Sequence, residues 1–224
     1  MPTGCWKGNW VTDGSKPPDL MVCAATEMEL RAFGPRREEA GQDSFCTGVG
    51  VPIALAQTLL IAGRERPARI LNIGIAGAYP GSGLAIGDIV LGTSEVYGDV
   101  GFELPEEPGF RHVREMPWGA PYQEPVTLTV FPEFAGAREG RGCTVNACTG
   151  TEATGRLRER LFDAHFETME GAAVAQAGYI LEVPVCEIRA ISNIASDRDM
   201  RPENIHLALD ALAAYFQKCR ERTA

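Results

Sequence analysis

The chain has 224 residues, enough for one α/β domain with a sizeable core. Its formal charge of −9 leaves no basic face for a phosphate backbone, which argues against nucleic acid as a partner. No apolar run approaches the roughly 20 residues of a membrane span, and the N-terminus lacks the apolar core of a secretory signal, so no membrane association is expected.

The seven cysteines are odd in number and scattered, with no C-x-x-C pair, which points to reduced thiols in a cytoplasmic protein. The three histidines form no metal-ligand spacing with each other or with cysteine, so no metal site is expected.

Residues 1–18 mix Gly, Trp, Lys and Pro without periodicity and read either as a disordered extension or as a product of start-site choice, leaving 19–224 as the single domain. The apolar run 20–25 predicts a buried strand. Thr26 with Glu29 three residues on predicts a capping box. A strand is expected over 44–49, then a helix over 53–62 that Pro52 opens. Residues 68–73 form a further buried strand, ending in Gly74-Ile75-Ala76-Gly77-Ala78, and 84–91 is a turn followed by a strand.

Residues 98–125 hold Gly, Pro and the aromatics Phe102, Phe110, Trp118 and Tyr122 without a period, and read as a long loop. A strand over 144–147, a helix over 152–162, a lead-in over 166–169, a helix over 170–181 and a buried strand over 183–191 follow. Ile205, Leu209, Leu212 and Phe216 then form an amphipathic stripe. Strands alternating with helices predict an α/β fold: a central mixed, mostly parallel twisted sheet flanked by helices.

Four features could carry chemistry. The turn Asn72-Ile73-Gly74-Ile75-Ala76-Gly77 has neither G-x-G-x-x-G nor a following Gly-Lys-Ser/Thr, so it is no phosphate loop. Its glycines either admit a ligand close to the backbone or make a tight turn. Glu29 stands at the end of the first strand, where open α/β sheets bind ligands, although residue type alone makes it a capping carboxylate. Glu170 opens a helix of small residues, Gly171, Ala172, Ala173, Ala175 and Ala177. A glutamate there suits the helix dipole. If the helix is buried, the carboxylate also needs partners, and its two oxygens match the two hydroxyl donors of a diol. Asn193 follows an apolar strand, either as a turn former or as a neutral amide offering two donors.

The segments Thr26-Glu27-Met28-Glu29, Met169-Glu170-Gly171-Ala172-Ala173 and Ala190-Ile191-Ser192-Asn193 together resemble the purine nucleosidase and nucleoside phosphorylase superfamily. Ser192-Asn193 with Arg198-Asp199 beyond it resembles the futalosine hydrolases in particular, and the resemblance spans residues 20–220. It implies a nucleoside phosphorylase-like fold and hydrolysis of the N-glycosidic bond of futalosine, on the futalosine route to menaquinone. Hypoxanthine would leave, with no cofactor. It also implies a homodimer or higher homo-oligomer in which the 98–125 loop completes a neighbour's pocket.

By the same resemblance Glu29 activates water and Glu170 holds the ribose diol. Met169 packs on the sugar, Ala76 and Gly77 lie beneath the ribose, and Cys148 and Thr149 lie in the base-stacking segment. Asn193, where adenine-releasing relatives carry aspartate, donates to N7 and O6 of a 6-oxopurine. Arg198 either pairs with the benzoate of futalosine or locks its loop through Asp199. A phosphorylase would have to seat phosphate beside Glu27 and Glu29, which disfavours an anion. A silent nucleoside-binding protein on the same fold would have no use for the full set of Glu29, Glu170 and Asn193.

Overall fold

Apolar residues dominate the innermost strands, because a strand covered by helices on both faces has no solvated side. The computed structural model describes residues 16–34, 43–117, 125–196 and 201–223. Its strands are β1 (Leu20–Ala24), β2 (Ser44–Cys46), β3 (Arg69–Ala78), β4 (Ile89–Tyr97), β5 (Gly101–Glu103), β6 (Phe110–His112), β7 (Val126–Thr127), β8 (Arg138–Thr144), β9 (Phe166–Thr168) and β10 (Val185–Ile194). The helices are α1 (Glu27–Ala32), α2 (Val51–Glu65), α3 (Glu152–Phe162), α4 (Gly171–Leu181) and α5 (Pro202–Thr223).

β2, β1, β3 and β10 run parallel in that order. β4 lies antiparallel to β10 and parallel to β8, β8 is parallel to β9, and β9 is antiparallel to β3. Parallel pairings therefore predominate in a mixed sheet, as the alternation of elements predicts. The path also closes on itself: β3, β10, β4, β8 and β9 form a ring, with β1 and β2 extending from β3. Closure leaves these five strands without an unpaired edge.

Helices cover both faces. α1 and α5 enclose one core around Leu71, Ile73, Ile188, Leu212 and Phe216. α4 packs over the other face through Val174 and Ala175, and Ala62 of α2 joins the same core. α4 is buried from Gly171 to Gly178, and its small side chains let the helix axis approach the strands closely. The α5 stripe centres on Ala208, Leu212, Phe216 and Cys219, with Ile205 and Leu209 half-buried on its flank.

Several expectations change. The strand placed over 144–147 is instead β8, Arg138–Thr144, which ends where the expected one begins. Arg138, Glu139 and Arg141 with Gly140 and Gly142 look like a loop, yet the glycines give room to side chains of neighbouring strands: a Cβ on Gly140 would lie 2.9 Å from Val90. The segment 98–125 is structured over much of its length: β5 and β6 pair as a hairpin, and buried His112 is 2.8 Å from the Tyr97 carbonyl through Nε2. Trp118 and Tyr122 lie outside the described residues, as does the N-terminal extension through residue 15. The strand expected to stop at residue 73 continues to Ala78, and the last strand continues to Ile194. Gly74, Gly77 and Asn193 are therefore strand residues.

Candidate active site

The C-terminal ends of β1, β3 and β10 lie side by side, and β9, antiparallel to the end of β3, leads Glu170 back to the same place, so the three sequence motifs converge. Glu29 is the third residue of α1. The capping box with Thr26 is present. Glu29 Oε2 accepts from the Thr26 N–H and hydroxyl at 3.0 and 2.8 Å. Its Oε1 accepts from the Ile75 N–H at 3.1 Å, which ties the capping carboxylate to the glycine-rich end of β3. Glu29 is only 6% exposed, whereas a cap on a solvated turn would be open.

Glu170 occupies the N-cap position of α4 but makes no capping bond from its side chain. Its Oε1 accepts instead from the Gly50 N–H at 2.8 Å, across the mouth of α2. Burial pushes its carboxyl above the ordinary range, against the pull of Arg189 and the Gly50 N–H, while Glu29 and Glu187 add to the rise. A carboxylate drawn away from its own helix and held at the site costs energy to keep charged, and a diol donating two hydrogen bonds would relieve that cost.

Asn193 sits at an irregularity in the β10–β3 pairing: Ile191 faces Ala76 and Asn193 faces Gly77, leaving Ser192 extra. Such a bulge re-aims the side chain that follows it. The Ser192 hydroxyl donates to Asn193 Oδ1 at 3.1 Å, and Nδ2 donates to the Ile194 carbonyl at 3.2 Å. These partners assign the two ends of the amide, since a flipped amide would set its oxygen against a carbonyl. A Cβ on Gly77 would lie 3.1 Å from Nδ2 and 3.3 Å from Glu167 Cγ, so glycine makes room for both. Gly77 thus lies against the Asn193 amide.

Thr149 is buried and turned onto Glu167, which accepts its N–H at 2.8 Å and its hydroxyl at 2.6 Å. Arg158 of α3 donates to the Ala147 carbonyl and to Thr149 Oγ1 at 3.1 and 2.8 Å, and the Tyr79 hydroxyl donates to Glu167 at 3.3 Å. This network fixes the 147–149 segment beside Asn193. Cys148 and Met169 are half-buried at the same edge. Arg198 and its neighbours Asp197 and Asp199 lie outside the described residues.

The central cation is a residue that motif reading passed over. Arg189 is buried on β10 and paired with Glu187, its Nε donating to Oε1 at 2.8 Å and its Nη2 lying 2.7 Å from the same oxygen. A Cβ on Gly74 would fall 2.5 Å from Arg189 Nη1 and 2.6 Å from Glu29 Oε1, so the guanidinium and the Glu29 carboxylate both border the space of that missing side chain. Burial opposes the Arg189 charge, but Glu187, Glu170 and Glu29 outweigh it and push its pKa up. The signal was present: Glu187 and Arg189 fall on one face of an otherwise apolar strand, a pattern a core strand tolerates only when the charges are paired.

A sequence profile of the phosphorylase superfamily matches residues 44–223. The chain is 34% identical over 196 residues to a futalosine hydrolase of Streptomyces coelicolor, covering 84% of this chain and 82% of the relative. It is 31% identical over 175 residues to a 5'-methylthioadenosine/S-adenosylhomocysteine nucleosidase of Listeria innocua, covering 72% and 73%. Its fold matches a futalosine hydrolase mutant of Helicobacter pylori with a TM-score of 0.71 at 16% identity, over 92% and 99% of the two chains. It also matches a 5'-methylthioadenosine/S-adenosylhomocysteine nucleosidase of Helicobacter pylori with a TM-score of 0.73 at 16% identity, over 93% and 100%. With the profile spanning most of its length and its fold shared throughout, the chain belongs to the phosphorylase superfamily.

Proposed function

We propose that this protein hydrolyses the N-glycosidic bond of futalosine, releasing hypoxanthine and dehypoxanthine futalosine, on the futalosine route to menaquinone. The observation that carries the reading is the neutral, oriented amide of Asn193 at the end of β10. By the resemblance stated above, adenine-releasing relatives have aspartate there. A carboxylate would repel O6 of hypoxanthine, whereas an amide nitrogen donates to it. One Nδ2 hydrogen is engaged with the Ile194 carbonyl, so reading N7 and O6 together requires that hydrogen to turn toward the purine. The relative named futalosine hydrolase supports the same substrate.

The reaction follows from the charges. The glycosidic bond stretches first and leaves an oxocarbenium-like sugar. Glu170 holds the diol, Asn193 stabilises the departing purine, and Glu29 takes the proton of the attacking water. Arg189 sits by these carboxylates and opposes the rise that burial gives the Glu170 carboxyl. Water is the acceptor rather than phosphate, because two carboxylates line the site and the adjacent guanidinium is already paired with Glu187.

A second reading, cleavage of 5'-methylthioadenosine or S-adenosylhomocysteine, is favoured by the 31% identity to the Listeria innocua nucleosidase. Mass spectrometry of products from futalosine, inosine and 5'-methylthioadenosine, with and without phosphate, separates the two. Free hypoxanthine from futalosine without phosphate is the expected result. Adenine release alone would transfer the assignment to the second reading, and a ribose 1-phosphate product would make the protein a phosphorylase.

A further inference from the structure

β4 and β10 are neighbours, and each sends a glutamate into the space beneath the start of α4. Glu95 and Glu187 are both completely buried. Missing side chains make the room: a Cβ on Gly171 would lie within 2.7 Å of an oxygen of each carboxyl, and one on Gly92 would lie 2.8 Å from Glu187 Oε2.

The two carboxyls have unequal partners. Glu187 Oε1 takes Arg189 Nε at 2.8 Å and Asn72 Nδ2 at 3.4 Å, whereas its Oε2 has no hydrogen-bond partner among the described residues. Among the described residues Glu95 makes no ion pair. Its oxygens accept from Thr144 Oγ1 at 2.8 Å and Thr168 Oγ1 at 3.2 Å. Those hydroxyls are oriented in turn by the Ala172 and Gly171 N–H groups at 2.7 and 3.1 Å.

Two ionised carboxyls in one dry space repel, and a buried oxygen without a donor is costly. A proton kept on Glu95 and donated to Glu187 Oε2 removes both problems. Burial first, and then the charge of Glu187, push the Glu95 carboxyl well above the usual range.

We infer that Glu95 and Glu187 share one proton, and that this singly charged pair positions the Arg189 guanidinium beside Glu29 and Glu170. With one negative charge opposite it, Arg189 is neutralised once. With two, the excess charge would press Glu170 further toward protonation and draw the guanidinium away from Glu29 and Glu170. Glu95 and Glu187 are positioning residues, acting through Arg189.

The kinetic consequence rests on the nucleosidase reading, but the shared proton does not. Infrared spectra at neutral pH are expected to contain a protonated-carboxyl stretch in the wild type that Glu95→Gln lacks. In turnover, Glu187→Gln and Glu95→Leu should each lower kcat by roughly tenfold or more with little change in KM. Glu95→Gln should recover most of that loss, because its amide N–H replaces the shared proton toward Glu187 Oε2. A folded Glu95→Gln as defective as Glu95→Leu, or no carboxyl band lost in Glu95→Gln, overturns the inference. A lost band in a protein inactive on every nucleoside tested upholds the shared proton and discards the nucleosidase reading.

Discussion

At the scale of the residue, the proposed reaction gives Asn193, Glu29 and Glu170 separate tasks. Asn193→Asp removes a donor and places charge beside O6 of the base. A buried unpaired acceptor costs roughly 1–3 kcal/mol. The variant should therefore lose about tenfold to a few hundredfold in kcat/KM on futalosine. The ratio of that constant to the one for the adenine counterpart is the readout, and an unchanged ratio would take Asn193 out of base reading. Glu29→Gln should lower kcat with KM nearly unchanged, because proton acceptance belongs to the transition state, while Glu170→Ala should damage both. Glu29 also caps α1 through Thr26, so Glu29→Gln should cost about 1 kcal/mol of stability as well, visible as a small drop in Tm. Near wild-type turnover in a folded variant would remove that residue from the mechanism. These three side chains were legible in the sequence because each sits in a short motif of fixed spacing. For Arg189 and Glu187 the sequence shows only paired charges in an apolar strand, and the neighbouring carboxylates of Glu29 and Glu170 reveal what that interruption does.

At the scale of the element, the ends of β3 and β10 do the positioning. Gly74 leaves the gap that Arg189 and Glu29 both border, so Gly74→Ala must displace one of them. It should reduce turnover far more than it reduces Tm, and a folded Gly74→Ala of normal kcat would show that the contact is idle. α5 has a packing role: buried Phe216 meets Phe33, Phe134 and Tyr215 edge-on, with centroids 5.0 to 5.9 Å apart. Phe216→Ala should cost about 3–5 kcal/mol in denaturant unfolding while sparing KM. α5 was legible because an amphipathic stripe repeats at helical spacing. β8 was not, because its glycines exist to admit neighbouring side chains, and a lone strand gives no hint of who the neighbours are.

At the scale of the whole molecule, two properties follow from how the parts close up. Exposed Val49, Ile53 and Leu60 lie on or beside α2, and exposed Tyr179 and Ile180 on α4, two helices packed against each other. Large apolar side chains left exposed on two packed helices suit an interface, which fits the homo-oligomer that the resemblance implies, and C2 symmetry is the commonest closed arrangement. Light scattering at micromolar concentration should give a dimer and Leu60→Glu a weaker one, whereas a fully active monomer would contradict the proposal. The second property is a pH dependence of stability. Glu95 faces Glu187 and Arg189 from β10 and Cys143 from β8, and its folded-state carboxyl binds its proton more tightly than the ordinary value of 4.5 allows. The folded state therefore holds the extra proton, and stability falls as pH rises from about 4.5 toward the higher folded-state value. Glu95→Gln should lack that decline in Tm against pH, and an identical slope in both proteins would mean that Glu95 is ionised when folded.

The sequence by itself determined the class of fold, the succession of most strands and helices, and the three motif residues at the sheet edge, because those depend on local periodicity and on short fixed spacings. The tertiary structure decided the rest. The closing of β3, β10, β4, β8 and β9 into a ring, the register shift between β10 and β3 at Ser192, and the gathering of Glu95, Glu187 and Arg189 over missing glycine side chains all join residues far apart in the chain. What a buried charge does is set by which opposite charge folding brings to it, and no local pattern encodes that partner.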